Sequence, residues 1–322
     1  MRRDGAAWRP AASIEALRAR AALLGRIRAF FAERGVFEVD TPQLCPVTAT
    51  DPLLESIAAR PLADEVDWYL QTSPEFAMKR LLAAGSGAIY QMGKAFRRGE
   101  CGPRHNPEFT MLEWYRPGFD TAQLAAEVAQ LVAAVIGGRP VRRDSWRKLL
   151  MRHAGLDPGA ASLAELRQRA SGLSGEPVGD WPPDALLDLL FSECVESRLG
   201  HGCLQFVDGF PAARASLARV TVDTEGVEVA DRFELFVDGV ELANGYNELC
   251  DAEELRRRIG RDNAARAAAG LPVCEPDERL LAALASGLPE SAGVALGVDR
   301  LVMIALGAAR IDEVIAFAAD RA

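Results

Sequence analysis

Residues 87–96, "GAIYQMGKAF", and 109–115, "FTMLEWY", both alternate in the manner of strands, and a short turn-forming stretch separates them. They predict an antiparallel hairpin, and so a sheet built from hairpins. The connecting stretch, "RRGECGPRHNP", gathers Arg97, Arg98, Arg104 and His105 among Gly99, Gly102, Pro103 and Pro107. Side chains on a strand alternate between faces. Gln91, Gly93 and Ala95 therefore share a face with Arg97, and Glu113 and Tyr115 share one face of the return strand, with Leu112 and Trp114 on the other. A carboxylate and a phenol on a core strand are costly unless a cationic or polar group meets them. An amine-bearing ligand would do so, and guanidinium groups at the mouth would take a phosphate. The plain alternative is a surface hairpin with solvated charges.

Composition narrows the function classes. The 322 residues carry a formal net charge of -9, with 49% hydrophobic and 26% charged residues, as in a globular protein. An acidic balance favours small anionic ligands in a local pocket over a grip on long nucleic acid. No apolar run reaches the roughly 18 residues of a membrane helix, and no apolar segment follows the charged N-terminus as in a signal peptide. Six scattered cysteines form no C-x-x-C pair, which argues against zinc and fits a reducing, cytoplasmic setting.

Ser13 caps an amphipathic helix that Gly35 closes, and "VFEV" (36–39) is a short strand. "EFAMKRLLAAG" is a helix entered through Ser73-Pro74-Glu75, and residues 121–136 are another. Residues 143–200 are helix-rich and read as an insertion. "CLQFVDGF", "RFELFVDGVELANG" and "AGVALGVDR" are strand-like, and Asp238-Gly239 signals a hairpin turn. The chain closes with a helix over "RLVMIALGAARIDEVIAF". The expected fold is α+β, an antiparallel sheet flanked by helices in a single domain over 1–322.

Two further clusters carry chemistry. "ELANGYNEL" sets Glu241 and Glu248 seven residues apart, and two carboxylates beside a substrate phosphate suit Mg²⁺. "GVALGVDR" places Arg300 where a helix begins, after small residues that admit a ligand. Solvated turn glutamates and a tightly packed junction are the respective alternatives.

These residues resemble a known family. "FR" followed by "RHNPEFTMLEWY" resembles motif 2 of class II aminoacyl-tRNA synthetases in its lysyl form, "GVALGVDRLVM" motif 3, and "GVFEVDTP" after a helix motif 1. "TSPEFAMKRLLAAG" and "ELANGYNEL" are similar to the lysyl-type amino-acid and ATP–Mg²⁺ segments. Only about 35 residues precede the motif 1 strand, which leaves no room for the OB-fold anticodon domain of a lysyl-tRNA synthetase, so no anticodon recognition is expected. A bare catalytic domain of this kind resembles the elongation factor P–(R)-β-lysine ligase family. Ser73 stands where lysyl synthetases usually have alanine, and Ala295 where they usually have glycine.

The resemblance implies the following roles. Arg97 would bind the α-phosphate of ATP and Arg300 the γ-phosphate. Arg98, Gly99, Glu100, Asn106, Glu241, Leu242 and Gly297 would complete the ATP site. Glu241 and Glu248 would hold Mg²⁺, with Glu248 also near the substrate. Glu113 and Tyr115 would hold the distal amine of the amino acid, Ser73 and Glu75 the amine near its carboxylate, and Ala295 would shape that end. Gly99 departs from the pattern, since motif 2 usually has an adenine-contacting glutamate there, and Glu100 is its expected replacement.

The implied activity is ATP-dependent activation of β-lysine as an adenylate and transfer to a lysine of elongation factor P. A cytoplasmic homodimer is expected, with Phe30, Phe31, Val36 and Phe37 of motif 1 available for its interface. The rival readings are a truncated lysyl-type ligase with another acceptor and a regulator without catalysis. Erosion of Arg97, Arg300 or the paired glutamates would mark the regulator, and all are in place.

Overall fold

A computed structural model of the protein describes residues 8–52, 54–61, 67–175 and 177–322. The chain forms two compact units, Met1–Gly137 with Asn247–Ala322, and Gly138–Tyr246.

The first unit opens with α1 (Ile14–Ala32), whose first turn is held by the Ser13 hydroxyl accepting from the Ala16 amide at 3.0 Å. There follow β1 (Phe37–Glu38), β2 (Leu44–Cys45), β3 (Ile57–Ala59), β4 (Trp68–Leu70), α2 (Glu75–Ala83), β5 (Ile89–Phe96), β6 (Glu108–Pro117) and α3 (Thr121–Ile136). The second unit contains β7 (Val141–Ser145), α4 (Trp146–His153), α5 (Leu163–Ala170), α6 (Pro183–Cys194), β8 (Leu204–Pro211), β9 (Val220–Val222), β10 (Glu228–Val237) and β11 (Val240–Asn247). The chain then completes the first unit with α7 (Ala252–Ala268), α8 (Glu278–Ala285), β12 (Ser291–Gly297) and α9 (Val298–Leu306).

In the first unit the strand order is β1-β5-β6-β12, and β2-β4-β3 forms a small separate sheet. The hairpin predicted from alternation is β5–β6, with Gln91 opposite Glu113 and Phe96 opposite Glu108. Beyond β6 lies β12, with Gly293 opposite Tyr115, Ala295 opposite Glu113 and Gly297 opposite Met111. One face of β6 is core. Trp114 is fully buried, lies 5.3 Å from Phe31 of α1, and donates from its indole to Glu127 of α3 at 3.1 Å. Phe31 also stacks on Tyr90 at 4.4 Å. The other face carries Glu113 and Tyr115. A second tie joins α1, β6 and α9: buried Asp299 pairs with Arg20 at 2.5 Å and accepts from the Thr110 amide at 2.7 Å.

The second unit has strand order β11-β10-β8-β7, with β9 on β10. Asp238 and Gly239 both take positive φ, 50° and 72°, between paired Val237 and Val240, as the two-residue turn requires. Opposite Phe233 stands Gly245, where a Cβ would come within 2.4 Å of the ring. The three helices of the segment read as helix-rich bury Trp146, Leu186 and Phe191 against Phe210 and Phe236.

Three expectations change. The sheet is mostly antiparallel, but β1–β5 and β7–β8 are parallel pairs. The closing helix ends at Leu306, because Gly307 turns left-handed at φ 66° and caps it, and only a short 3-10 turn, Ile311–Glu313, follows. Of the four motif 1 residues read as interface, Phe30, Phe31 and Val36 are buried within their own chain, and only Phe37 is exposed, at 51%.

Candidate active site

Strand alternation brings the first cluster together. Glu113 and Tyr115 project from β6 onto the face they share with Gln91, and the entry of α2 supplies Ser73, Glu75 and Lys79. The Ser73 hydroxyl accepts from the Glu75 amide at 3.0 Å and donates to Glu113 Oε2 at 2.6 Å. The Tyr115 hydroxyl donates to Glu113 Oε1 at 2.6 Å. Lys79, one turn into α2, reaches Glu75 and Glu248 at 2.6 Å each. Ser73 is thus a direct partner of Glu113 rather than a member of a separate end of the pocket.

Gly293 shows how tightly β12 closes on this cluster. A Cβ there would lie 2.4 Å from the Tyr115 ring and 2.5 Å from Glu248 Oε1, so only glycine fits. At Gly297 an added Cβ would meet only the Arg300 side chain, at 3.5 Å.

The electrostatics follow from burial. Desolvation pushes the Glu113 carboxyl up to about 8, and the charge of Glu75 adds to it, while the bonds from Ser73 and Tyr115 pull the other way. Glu248 is raised by burial to about 7 against the opposing ammonium of Lys79. Burial also carries Tyr115 well above the usual phenol range, with Glu113 adding, so it remains a donor. Burial works against the ammonium of Lys79, but Glu248 and Glu75 outweigh it and hold the proton firmly. Glu75 and Glu248 therefore share one ammonium, and Glu113 beside them is met by two hydroxyls, so the cluster has more carboxyl groups than cations among the described residues.

The anion end lies at the hairpin tip. Arg97 follows β5, its amide bonded to the Pro107 carbonyl at 2.9 Å and its guanidinium over Phe109. Its Nε is buried with no hydrogen-bond partner among the described residues, while Nη1 approaches Glu100 at 3.4 Å. Such an orphaned donor fits a phosphate oxygen. Gly99 takes φ 78°, a conformation that a glutamate would adopt only with strain, which accounts for glycine at that position. Arg98 turns outward to Glu55 at 2.6 Å. Arg300 Nη2 lies 2.6 Å from His105 Nε2, so motif 3 meets the tip of the hairpin. Asn106 donates to the Glu108 carbonyl at 2.6 Å and accepts from the Ala319 amide at 3.0 Å, and so anchors the loop to the C-terminal segment.

Glu241 and Leu242 belong to the second unit. Leu242 is buried, which leaves its backbone as the part able to serve a nucleotide. Beside Glu241 the same unit places Glu234, a carboxyl raised to about 8 by burial and by the Glu241 charge, against the opposing effect of Arg232. Glu234 is already paired with Arg232 at 2.5 Å, so Glu241 is the carboxylate of this pair that could serve a divalent cation taking further ligands from phosphate and water. Glu248 is likewise paired, with Lys79 at 2.6 Å. Among the described residues no group of three or more candidate ligands forms a metal site, and no helix is long and apolar enough to cross a membrane.

Sequence reasoning missed Glu234, Lys79, Gly293 and the His105–Arg300 contact. Alternation along "RFELF" and the i,i+4 spacing of Glu75 and Lys79 were signals for the first two. The others depend on cross-strand register, which no single segment displays.

With this geometry in place, the comparisons are direct. Residues 6–321 match the class II tRNA synthetases of the D, K and N group, and the chain belongs to that family. Within it, the chain is 49% identical to the elongation factor P–(R)-β-lysine ligase of Edwardsiella ictaluri, 48% to that of Erwinia tasmaniensis and 47% to that of Salmonella typhi, each alignment covering 99% of both chains. It is therefore a member of this ligase family, and the class II fold read from its motifs is the one it has.

The raised carboxyl of Glu113 makes a pH prediction. A group whose pKa rises on folding adds stability that is complete below its unfolded value, near 4.5, and is lost as pH climbs through its folded value, about 8. Without ligand, Tm should fall between pH 5 and 8.5, and Glu113→Gln should flatten that fall. Thermal melts across this range check it, and identical slopes for the two proteins would refute the assignment.

Proposed function

We propose that the protein activates (R)-β-lysine with ATP as an aminoacyl-adenylate and transfers it to a lysine side chain of elongation factor P. The observation that carries this reading is a cluster of three carboxyl groups, Glu75, Glu113 and Glu248, that holds a single ammonium, Lys79, among the described residues. A diamino acid brings two ammonium groups, both charged near neutral pH. The acceptor and the β-isomer follow from the names of the relatives.

Glu113 and Tyr115 receive the distal ammonium, and Glu113 releases its proton as that charge arrives. Glu75 and Glu248 receive the amine nearer the carboxylate. The substrate carboxylate attacks the α-phosphorus and the bond to the β-phosphate breaks, releasing pyrophosphate; Arg97 offsets charge developing on the α-phosphate, and Arg300 holds the far end of the triphosphate. Glu241 would offer a carboxylate to Mg²⁺, and that ion would supply charge neutralisation on the phosphates. The neutral amine of the acceptor lysine then attacks the adenylate carbonyl, forming an amide and expelling AMP.

The direct test is ATP–pyrophosphate exchange with (R)-β-lysine and with α-lysine, followed by mass spectrometry of elongation factor P. The β-isomer should support both steps, and Arg97→Ala should slow exchange by about 10²-fold or more. No exchange with either isomer would overturn the reading.

Ser73 and Ala295 both adjoin Glu113. A hydroxyl contact and one methyl together amount to a selectivity of about tenfold or more. Ser73→Ala with Ala295→Gly should shift the kcat/KM ratio toward α-lysine, and an unchanged ratio would remove these positions from specificity.

We further infer a symmetric homodimer that covers Phe37. Phe37→Asp should yield monomer in sedimentation at micromolar concentration, and a monomeric wild type would defeat the inference.

A further inference from the structure

Arginine supplies nearly all the positive charge of this chain. Of 37 basic residues only three, Lys79, Lys94 and Lys148, are lysine. Lys148 is exposed, and Lys94 is part-exposed beside Glu108. Lys79 alone is buried, its side chain 2% exposed between Glu75 and Glu248. A planar guanidinium needs a wide, flat seat, whereas an ammonium is a compact point charge that suits a gap between two carboxylates.

We infer that Lys79 is a positioning residue of the amino-acid site, a resident ammonium that fixes Glu75 and Glu248 and sets the pocket to accept a ligand with two positive charges. The inference rests on the reading that these carboxylates and Glu113 receive the substrate amines.

The geometry carries it from several sides. Glu248 stands just past β11, where its amide bonds the Ser291 carbonyl of β12 at 3.0 Å. One oxygen meets Lys79, and Gly293 of β12 closes on the other while its amide donates to the carboxylate. Glu75, in the first turn of α2, would be free to swing outward without the i,i+4 bond to Lys79. The remaining groups facing the cluster are Glu113 and Tyr115 of β6 and the Ser73 hydroxyl. Glu113 already has both oxygens engaged by those hydroxyls. Lys79 therefore acts on Glu75 and Glu248, and leaves Glu113 as the carboxyl group of the cluster with no resident cation among the described residues.

Steady-state exchange kinetics with wild type, Lys79→Met and Lys79→Arg test this. Lys79→Met should raise KM for β-lysine by at least about tenfold while KM for ATP stays within about twofold, since one partner of a buried charge pair is lost only at the amine end. Lys79→Arg should not restore it. A β-lysine KM within about twofold of wild type in folded Lys79→Met, or a parallel rise in both KM values, would overturn the inference.

A measurement on the unaltered enzyme covers the case in which the variants do not fold. With ¹⁵N-lysine labelling the protein has three ammonium signals, assignable through Lys94→Arg and Lys148→Arg. The Lys79 signal should exchange slowly with water and shift on saturation with β-lysine, while the other two stay in place. A Lys79 signal indifferent to β-lysine overturns the inference. If wild type itself shows no exchange with any lysine isomer, the failure lies instead with the proposed function.

Discussion

The first unit is organised around a carboxylate buried on a central strand. Glu113 sits between β5 and β12 with no ion-pair partner among the described residues, and burial alone would make its ionised form a large liability. Two short hydrogen bonds, from Ser73 and Tyr115, keep it oriented, and both donors are themselves fixed by the fold. Ser73 caps the entry to α2, and Tyr115 is pressed against a strand that must have glycine opposite it. The structure thus keeps a desolvated carboxyl group, pushed up to about 8, in a defined place. A protein does so when the compensating charge comes from a ligand, and a strained or desolvated group is where function is expected to break local rules.

The two ends of the hairpin are built by different means. At the deep end, surrounding carboxylates are raised toward neutrality by burial and wait for cations. At the tip, guanidinium groups remain exposed enough to meet a nucleotide, held by weak or replaceable partners such as Glu100 and His105. Arg97 to Glu100 at 3.4 Å is a loose contact that a phosphate could displace. The two ends are linked by the stiffness of β5 and β6 and by the Asp299–Arg20 pair, which ties the helix bearing Arg300 to the start of the chain.

Much of this was legible in the chain itself. Alternation located β5, β6 and the face bearing Glu113 and Tyr115, because a period of two is a local property. The cap at Ser13 and the Asp238-Gly239 turn were equally local. What escaped depended on neighbours distant in sequence. Val141–Ser145 forms a parallel edge strand that its charged residues do not suggest. Lys79 read as one polar position on an amphipathic helix, since its two carboxylate partners lie 4 and 169 residues away. The early end of α9 was hidden because the apolar spacing continues past Gly307, and only the left-handed turn there stops it.

The strand β6 faces two ways, with Trp114 in the Phe31–Tyr90 stack and Glu113 in the pocket, and that alternation restricts how such a chain can diverge. Sliding β6 by one residue would thrust a carboxylate into an aromatic stack and an indole into the amine site, so insertions within the paired stretch destroy both at once. The loop from Arg97 to Pro107 lies outside that pairing, so changes in it away from Arg97, Gly99, His105 and Asn106 leave the register intact. Descendants of such a protein can therefore retune the nucleotide end piecemeal, while the amino-acid end is locked to the core and changes only by substitutions that keep the register.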